Sequence, residues 1–288
     1  MPLLQAGDAG MSDKRIIRVF PRRTAATPVD DMVRIGTGPG LFDEADEVHV
    51  SVTFTWDLPA AERLEKDWAP VAPVVIGGPA TGEAGGEFSP GMYVKRGYVL
   101  TSRGCPNSCW FCSVPKREGP LRELPITEGW NVLDDNLLAC SDDHVRAVFA
   151  MLKGQKRFGR IEFTGGLEAK RLKPWHVEAL RELRPKQMFF AYDTPDDLDP
   201  LQDAGRMLLN AGFTTTSHAL RAYVLCGYPK DTFDAAGVRM GEAQAAGFLP
   251  MAMLYRDKTG SRDPNWQRWS RQWARPAIAA SGVEKAHG

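Results

Sequence analysis

From Gly97 onward the chain alternates short apolar segments with amphipathic stretches, and this alternation restricts the fold more than any other feature. The apolar segments are GYVLTS, NVLDDN, RIEFTG, QMFFAYD, RAYVLCG and MAMLYR. Such runs read as buried strands, and the stretches between them carry helix signals. Ser141 is placed to cap a helix that presents Val145, Val148, Phe149 and Leu152 on one face. Asp199-Pro200 offers an N-cap followed by a proline at the first helical position, and Asp231 and Gly247 bracket a further helix. Six strands with intervening helices predict an α/β fold, a partial (β/α)6 barrel of the TIM type. An open doubly wound sheet gives the same one-dimensional pattern, and periodicity does not separate the two.

Ahead of this region the pattern is shorter and interrupted. RIIRVF, then VHVSVTF with Val48, Val50, Val52 and Phe54 alternating with polar residues, then VVIGG predict strands, with a short helix over Pro59 to Trp68. These form a small N-terminal α/β unit, expected over residues 1–90 and closed by the Gly- and Pro-rich stretch GPATGEAGGEFSPG. The barrel is expected over 91–258 and a helical tail over 259–288. In that tail Trp266, Trp269 and Trp273 recur at helical spacing, which predicts a helix docking its aromatic face against the body. Arginines nearby leave stacking on a nucleic acid as the minority reading.

With 43% hydrophobic residues among 288, the chain can bury a full core. Lys+Arg and Asp+Glu both number 36, so net charge gives no general grip on nucleic acid or anionic membrane. No apolar run is long enough to span a bilayer and the first residues lack a secretory pattern, so the expected compartment is the cytoplasm, with no membrane partner. Thiols there stay reduced, and clustered cysteines point to metal or redox chemistry.

Three of the five cysteines stand within RGCPNSCWFCSVP. Cys105, Cys109 and Cys112 form C-x3-C-x2-C directly after the first barrel strand. A structural zinc site closes with four ligands, whereas three thiolates on a four-iron cluster leave one iron open to another ligand. Under the zinc reading His144, Cys140 or another distant residue has to complete the site, and the protein becomes a metal-stabilised binding protein (zinc or structural iron-sulfur) for RNA or protein. CPNSCWFC resembles the signature of the radical S-adenosylmethionine (SAM) superfamily, including the aromatic residue before the third cysteine. The resemblance covers about Gly91 to Asp257. It implies a 4Fe-4S cluster on Cys105, Cys109 and Cys112, SAM chelated at the open iron, and an electron donor such as flavodoxin or ferredoxin. Phe111 matches the position packed near the adenine, and Trp110 reads as core.

In barrels of this kind active groups gather at the C-terminal strand ends. Those ends hold Asp134-Asp135-Asn136, Gly165-Gly166-Leu167-Glu168, Tyr192-Asp193, Cys226-Gly227-Tyr228 and Tyr255-Arg256-Asp257. FTGGLE resembles the family's Gly-Gly-Glu segment that supports the SAM amino group, but with one residue inserted and on the third strand instead of the second. Asp135 and Asn136 occupy the second-strand end, where a carboxylate or amide can accept from an ammonium. Gly165, Gly166, Glu168 and Asp193 complete the expected cofactor pocket; a helix cap for the acids and a tight turn for the glycines are the plain structural readings. Cys226 reads as a small buried hydrophobe, and so does Cys140. Catalytic residues and the substrate, whether small molecule, nucleic acid or peptide, are not specified. Asp193, Tyr228, Arg256 and the Trp266 to Trp273 segment are substrate contacts by position only.

VVIGGPA resembles the late strand of the cobalamin-binding domains that precede some radical SAM barrels, which makes a cobalamin-dependent radical SAM methyltransferase a lesser alternative. The Asp-x-His-x-x-Gly cobalt-ligating pattern of those domains is absent: Ala147 replaces the glycine after Asp142-Asp143-His144, and His49 has no aspartate two residues before it. The N-terminal unit is therefore expected to be a trimmed relative without a cofactor.

Overall fold

A computed structural model describes residues 14–155, 161–257, 259–260 and 263–273. The chain divides into two compact units between Glu83 and Ala84. The first unit holds β1 (Ile16–Phe20), β2 (Val33–Ile35), β3 (Glu47–Ser51), α1 (Leu58–Trp68) and β4 (Val74–Gly77). Its strands are all parallel, in the order β2-β1-β3-β4. Ile17, Val19, Val48 and Val50 bury one set of side chains against Leu64 and Trp68 of α1, and the Trp68 indole donates to the Thr37 carbonyl at 3.0 Å. The expected strand through Phe54 stops at Ser51, because Phe54 opens a single 3-10 turn over Thr55–Asp57 that leads into α1. β2 was not expected from its sequence: three half-buried residues at a sheet edge carry almost no pattern.

In the second unit the elements are β5 (Tyr98–Val99), β6 (Ser102–Arg103), α2 (Val114–Glu118), β7 (Arg122–Glu123), β8 (Asn131–Val132), α3 (Asp142–Gly154), β9 (Glu162–Leu167), α4 (Pro174–Leu183), β10 (Gln187–Tyr192), α5 (Leu198–Asn210), β11 (Leu220–Cys226), α6 (Phe233–Ala245), β12 (Leu249–Leu254) and α7 (Pro264–Gln272). Six of these strands form one parallel sheet in the order β12-β11-β10-β9-β8-β5. The order follows the chain without reversal, as in a barrel, and β5 and β12 remain unpaired with each other, so the barrel is partial. A doubly wound sheet would reverse its order at a switch point, and this one does not.

The main core lies between this sheet and its helices. Phe163, Leu167, Met188, Phe190 and Val224 face Val145, Val148, Leu152, Leu180, Leu201, Leu208 and Met240. Each such side chain contributes about 1.5–3 kcal/mol on burial. The opposite sheet face is the barrel interior and is more polar: Phe189 stacks on Tyr223 at 4.2 Å, and the Tyr223 hydroxyl donates to the Thr164 carbonyl at 3.2 Å. Ser141 caps α3 as expected, its hydroxyl accepting from the His144 N–H at 3.2 Å. Two helix starts differ. Asp199-Pro200 lies inside the first turn of α5, because Thr194 and Asp197 already turn the chain one step earlier. Thr232 caps α6, while Asp231 accepts from the Gly227 N–H at 2.7 Å and pairs with Arg239 at 2.8 Å.

The strands foreseen in GYVLTS and NVLDDN are shorter than their apolar runs. Only two residues of each join the sheet, because the buried Asp134 carboxylate accepts from the Thr101 N–H, the Thr101 hydroxyl and the Ser102 hydroxyl and takes the place of a strand ladder. β9 runs on through both glycines to Leu167, and Arg160, the expected first residue of that strand, lies outside the described residues. α7 docks its aromatic face: Trp266 is buried against Phe233, with Trp269 and Trp273 partly covered. The remainder of the tail, residues 274–288, lies outside the described residues. Among the described residues no helix is long and apolar enough to cross a membrane.

One buried histidine makes the second unit sensitive to pH. His176 is 1% exposed in the first turn of α4, where its Nδ1 accepts from the Lys173 N–H at 3.0 Å. Burial first, and the neighbouring Lys173 and Arg146 charges after it, push it down to about 4. The unfolded chain therefore takes up a proton near pH 6.5 that the folded chain refuses until about pH 4, so stability falls as pH drops through that window. Denaturant titrations should show a loss of about 3 kcal/mol between those limits, and a His176→Asn protein should lack that component.

Candidate functional site

The cysteine loop leaves the sheet at the C-terminal end of the first sheet strand, and its entry is fixed by backbone geometry. Gly104 has φ +84°, and a Cβ there would fall onto the Gly119 and Pro120 carbonyl oxygens, so no other residue fits before Cys105. The Gly104 N–H donates to Asp135 Oδ2 at 2.9 Å. Below the loop the buried Glu118 carboxylate gathers Arg117 at 3.0 Å, Arg122 at 2.9 Å, Arg103 at 3.7 Å and the Gly85 N–H at 3.1 Å. Burial acts to raise its pKa, but the hydrogen bonds from Arg117, Gly85 and Arg122 outweigh it and hold Glu118 below the ordinary carboxylate range. The loop is thus clamped on both flanks, by Arg103 before it and Arg117 after it.

All three thiols of the loop are free; Cys109 is exposed, and Cys105 and Cys112 are half-buried. Burial, followed by the charges of the neighbouring thiolates, raises Cys109, and Cys112 is raised by burial, then by Cys105, Asp135 and Asp193. Among the described residues no three His, Cys, Asp or Glu side chains converge on a single ion. Thiolates that ligate separate irons of a cluster do not have to converge in that way.

The neighbouring strand ends close on the loop from one side. Asn136, just past β8, is buried; its amide donates to Cys105 Sγ at 3.4 Å and to Glu168 Oε2 at 2.6 Å, while its carbonyl oxygen is buried without a partner. Glu168, just past β9, also accepts from Asn107 inside the cysteine loop at 3.0 Å, from Lys170 at 2.7 Å and from Arg171 at 2.5 Å. Burial opposes the charged form of Glu168, yet these donors keep it below the ordinary carboxylate range. Cys105, Asn136 and Glu168 therefore form one connected group, with Asn107 as a member that the sequence did not single out. Its only signal there was its position between two cysteines.

The two glycines of FTGGLE separate in role. A Cβ on Gly165 would fall onto the Asp134 carbonyl oxygen and the Leu133 backbone, so Gly165 lets β9 approach β8. Gly166 has φ +103° and a Cβ there would meet nothing within 4 Å, which leaves its backbone open to a ligand. Asp193, past β10, is pushed up to about 7 by burial and then by Asp197, whose carboxylate accepts from the Asp193 and Thr194 N–H groups at 3.1 and 2.9 Å.

Aromatic residues cover another part of the rim. Phe111 is half-buried with its ring edge-on to Trp110 at 5.4 Å. Trp110 is not core: it is 58% exposed and meets Tyr228 at 5.7 Å and Tyr255 at 5.8 Å, past the ends of β11 and β12. Its ring bridges the loop after the first sheet strand to the ends of the last two, across the open side of the partial barrel. Arg239 lies over Tyr228 at 5.2 Å. Cys226 is fully buried beside Ala236 and Trp266, and burial pushes it up to about 12; Cys140, also buried, is pushed up to about 11. His144 is buried at the start of α3, with Nδ1 3.7 Å from Glu123.

No known protein-family profile matches the chain, and no curated protein matches it in sequence. Solved structures do. A radical S-adenosylmethionine methyltransferase, TsrM from Kitasatospora setae, with cobalamin and a [4Fe-4S] cluster bound, matches over 85% of this chain and 76% of its own, with a TM-score of 0.61 and 10% identity. The same enzyme with its tryptophan substrate and the SAM analogue aza-SAM matches over 84% and 72%, with a TM-score of 0.57 and 10% identity. At that identity the shared property is the fold, an N-terminal α/β unit followed by the partial barrel. The matched share exceeds what the second unit alone supplies, so it extends into the first.

The glycine contrast is directly measurable. Gly165→Ala should lower stability by about 1–3 kcal/mol in thermal or denaturant unfolding, the usual cost of forcing atoms into a filled space. Gly166→Ala should cost about 1 kcal/mol through its backbone conformation alone. A Gly165→Ala protein as stable as the parent would contradict the packing role of Gly165.

Proposed function

We propose that this protein is a radical SAM enzyme, with Cys105, Cys109 and Cys112 as the ligands of a 4Fe-4S cluster. The carrying observation is that all three thiols stand on one loop at the C-terminal rim of a six-stranded partial barrel, with a half-buried polar group beside them. The donor set suits a cluster: three thiolates occupy three irons and leave the fourth for an outside ligand. The buried, unpartnered Asn136 carbonyl oxygen suits the ammonium of an amino acid such as SAM, and the open backbone at Gly166 suits close approach of the same ligand. Asp135 serves the loop backbone through Gly104, and Glu168 braces Asn136 and Asn107, so in this reading both support the pocket from behind. Phe111 offers a ring beside the loop and Asp193 a carboxyl at the next strand end. When bound, the cluster would supply the electron that cleaves SAM to methionine and a 5′-deoxyadenosyl radical, and that radical takes hydrogen from the substrate. The chain's own part is to hold the thiols, receive the ammonium and shield the mouth with Trp110, Tyr228 and Tyr255. A flavodoxin or ferredoxin is the electron donor proposed, and the substrate class stays open among small molecule, nucleic acid and peptide.

Anaerobic reconstitution should give about four irons and four sulfides per chain. Dithionite and SAM should then yield 5′-deoxyadenosine. Each of Cys105→Ala, Cys109→Ala and Cys112→Ala should lose the cluster absorbance and reduce product formation by at least about a hundredfold. One zinc per chain with no acid-labile sulfide would favour the metal-stabilised binding protein instead.

A second reading, cobalamin-dependent methyl transfer, is favoured by one feature of the first unit. Its strand order reverses between β1 and β3, and open α/β sheets bind ligands at the C-terminal ends of strands at such a reversal. TsrM, whose fold is similar, has cobalamin bound in its structure. Equilibrium dialysis against hydroxocobalamin decides it: retention near one per chain supports this reading, and no retention dismisses it.

A further inference from the structure

We infer that Asn136 is a positioning residue that tunes the Cys105 thiolate: its side-chain amide, braced by Glu168, donates a hydrogen bond to the sulfur and thereby sets the reduction potential of the cluster. The inference rests on the cluster reading above and concerns the NH2 end of the Asn136 amide, the end opposite the carbonyl oxygen assigned to the ammonium.

The orientation of the amide follows from its neighbours. In the observed sense the NH2 group faces Cys105 Sγ at 3.4 Å and Glu168 Oε2 at 2.6 Å. A flipped amide would set its carbonyl oxygen against a carboxylate and a sulfur, three acceptors with no donor between them. Glu168 cannot easily leave this arrangement. Lys170 and Arg171 hold it in the charged, accepting form, and Asn107 ties its other oxygen to the cysteine loop. Glu168 therefore fixes both the donor, Asn136, and the segment that carries the acceptor, Cys105. Burial of Asn136 keeps water from competing for the same sulfur.

A hydrogen bond to a ligating sulfur withdraws electron density from it and stabilises the reduced, more negative cluster. Removing the donor should shift the midpoint to more negative potential without removing a ligand. The size follows from an ordinary hydrogen bond of about 1 kcal/mol, which is about a fivefold change in the reduced-to-oxidised ratio at a given potential.

The test uses the full-length protein, reconstituted anaerobically and titrated potentiometrically with the reduced cluster read by electron paramagnetic resonance. At the parent's midpoint, Asn136→Ala should show a reduced-to-oxidised ratio lower by about fivefold at unchanged iron content. Lys186→Ala, at the opposite ends of the strands, should titrate with the parent. A midpoint for Asn136→Ala that coincides with the parent's overturns the inference. Should Asn136→Ala fail to take up iron, amide hydrogen exchange over residues 104–112 of the cluster-free proteins decides: faster exchange by about fivefold supports the anchor and parental exchange overturns it. A parent that takes up no cluster refutes the proposed function, and a loaded parent with an unshifted variant refutes this inference alone.

Discussion

Three consecutive side chains after β8 hold the cysteine loop in place, and the rest of the site depends on them. Asp134 accepts from Thr101 and Ser102 and ends the first sheet strand early. Asp135 takes the Gly104 N–H, and Asn136 reaches the Cys105 sulfur. Each binds the loop one step further along the chain. Asp134 is almost completely buried, and burial raises its pKa despite four hydrogen-bonding contributions from Thr101 and Ser102. A buried carboxyl of this kind is tolerated only where donors surround it, so the position of β8 and the path of the chain after β5 are fixed together.

This arrangement explains why the first two barrel strands are so short. Side-chain hydrogen bonds from Asp134 do the work of a ladder between them, and the released backbone turns outward into the β6–β7 pair and the loop. The sequential sheet then places the ends of β8 and β9 next to the loop, while the open side between β5 and β12 is crossed at the rim by Trp110 against Tyr228 and Tyr255. Asn136 and Glu168 draw the loop toward one side of the mouth and Trp110 toward the other.

Much of the second unit was legible because its buried strands and amphipathic helices repeat a simple period. β10, β11, β12 and the helix over Asp142–Gly154 fall where apolar periodicity puts them, each long enough for the pattern to accumulate. Shorter elements were not legible. β2 has three residues, and Thr232, which caps α6, stands next to an acidic residue that looks equally capable of capping. A cap is chosen by which side chain meets the free N–H groups, and neighbours one or two residues apart compete for it.

The chain alone carries the alternating βα architecture and the three thiols on one loop, because periodicity and short spacing are local properties. It also brought Asn136, Gly165, Gly166 and Glu168 forward as rim residues. What each does follows from the folded arrangement: Gly165 packs against the Asp134 backbone, Gly166 faces open space, Glu168 braces two asparagines, and Asn107 and Trp110 join the site. Those roles depend on contacts between residues 31 to more than 100 positions apart, from Asn136 and Cys105 to Trp110 and Tyr228. Such contacts follow from strand order and register, which periodicity leaves undetermined.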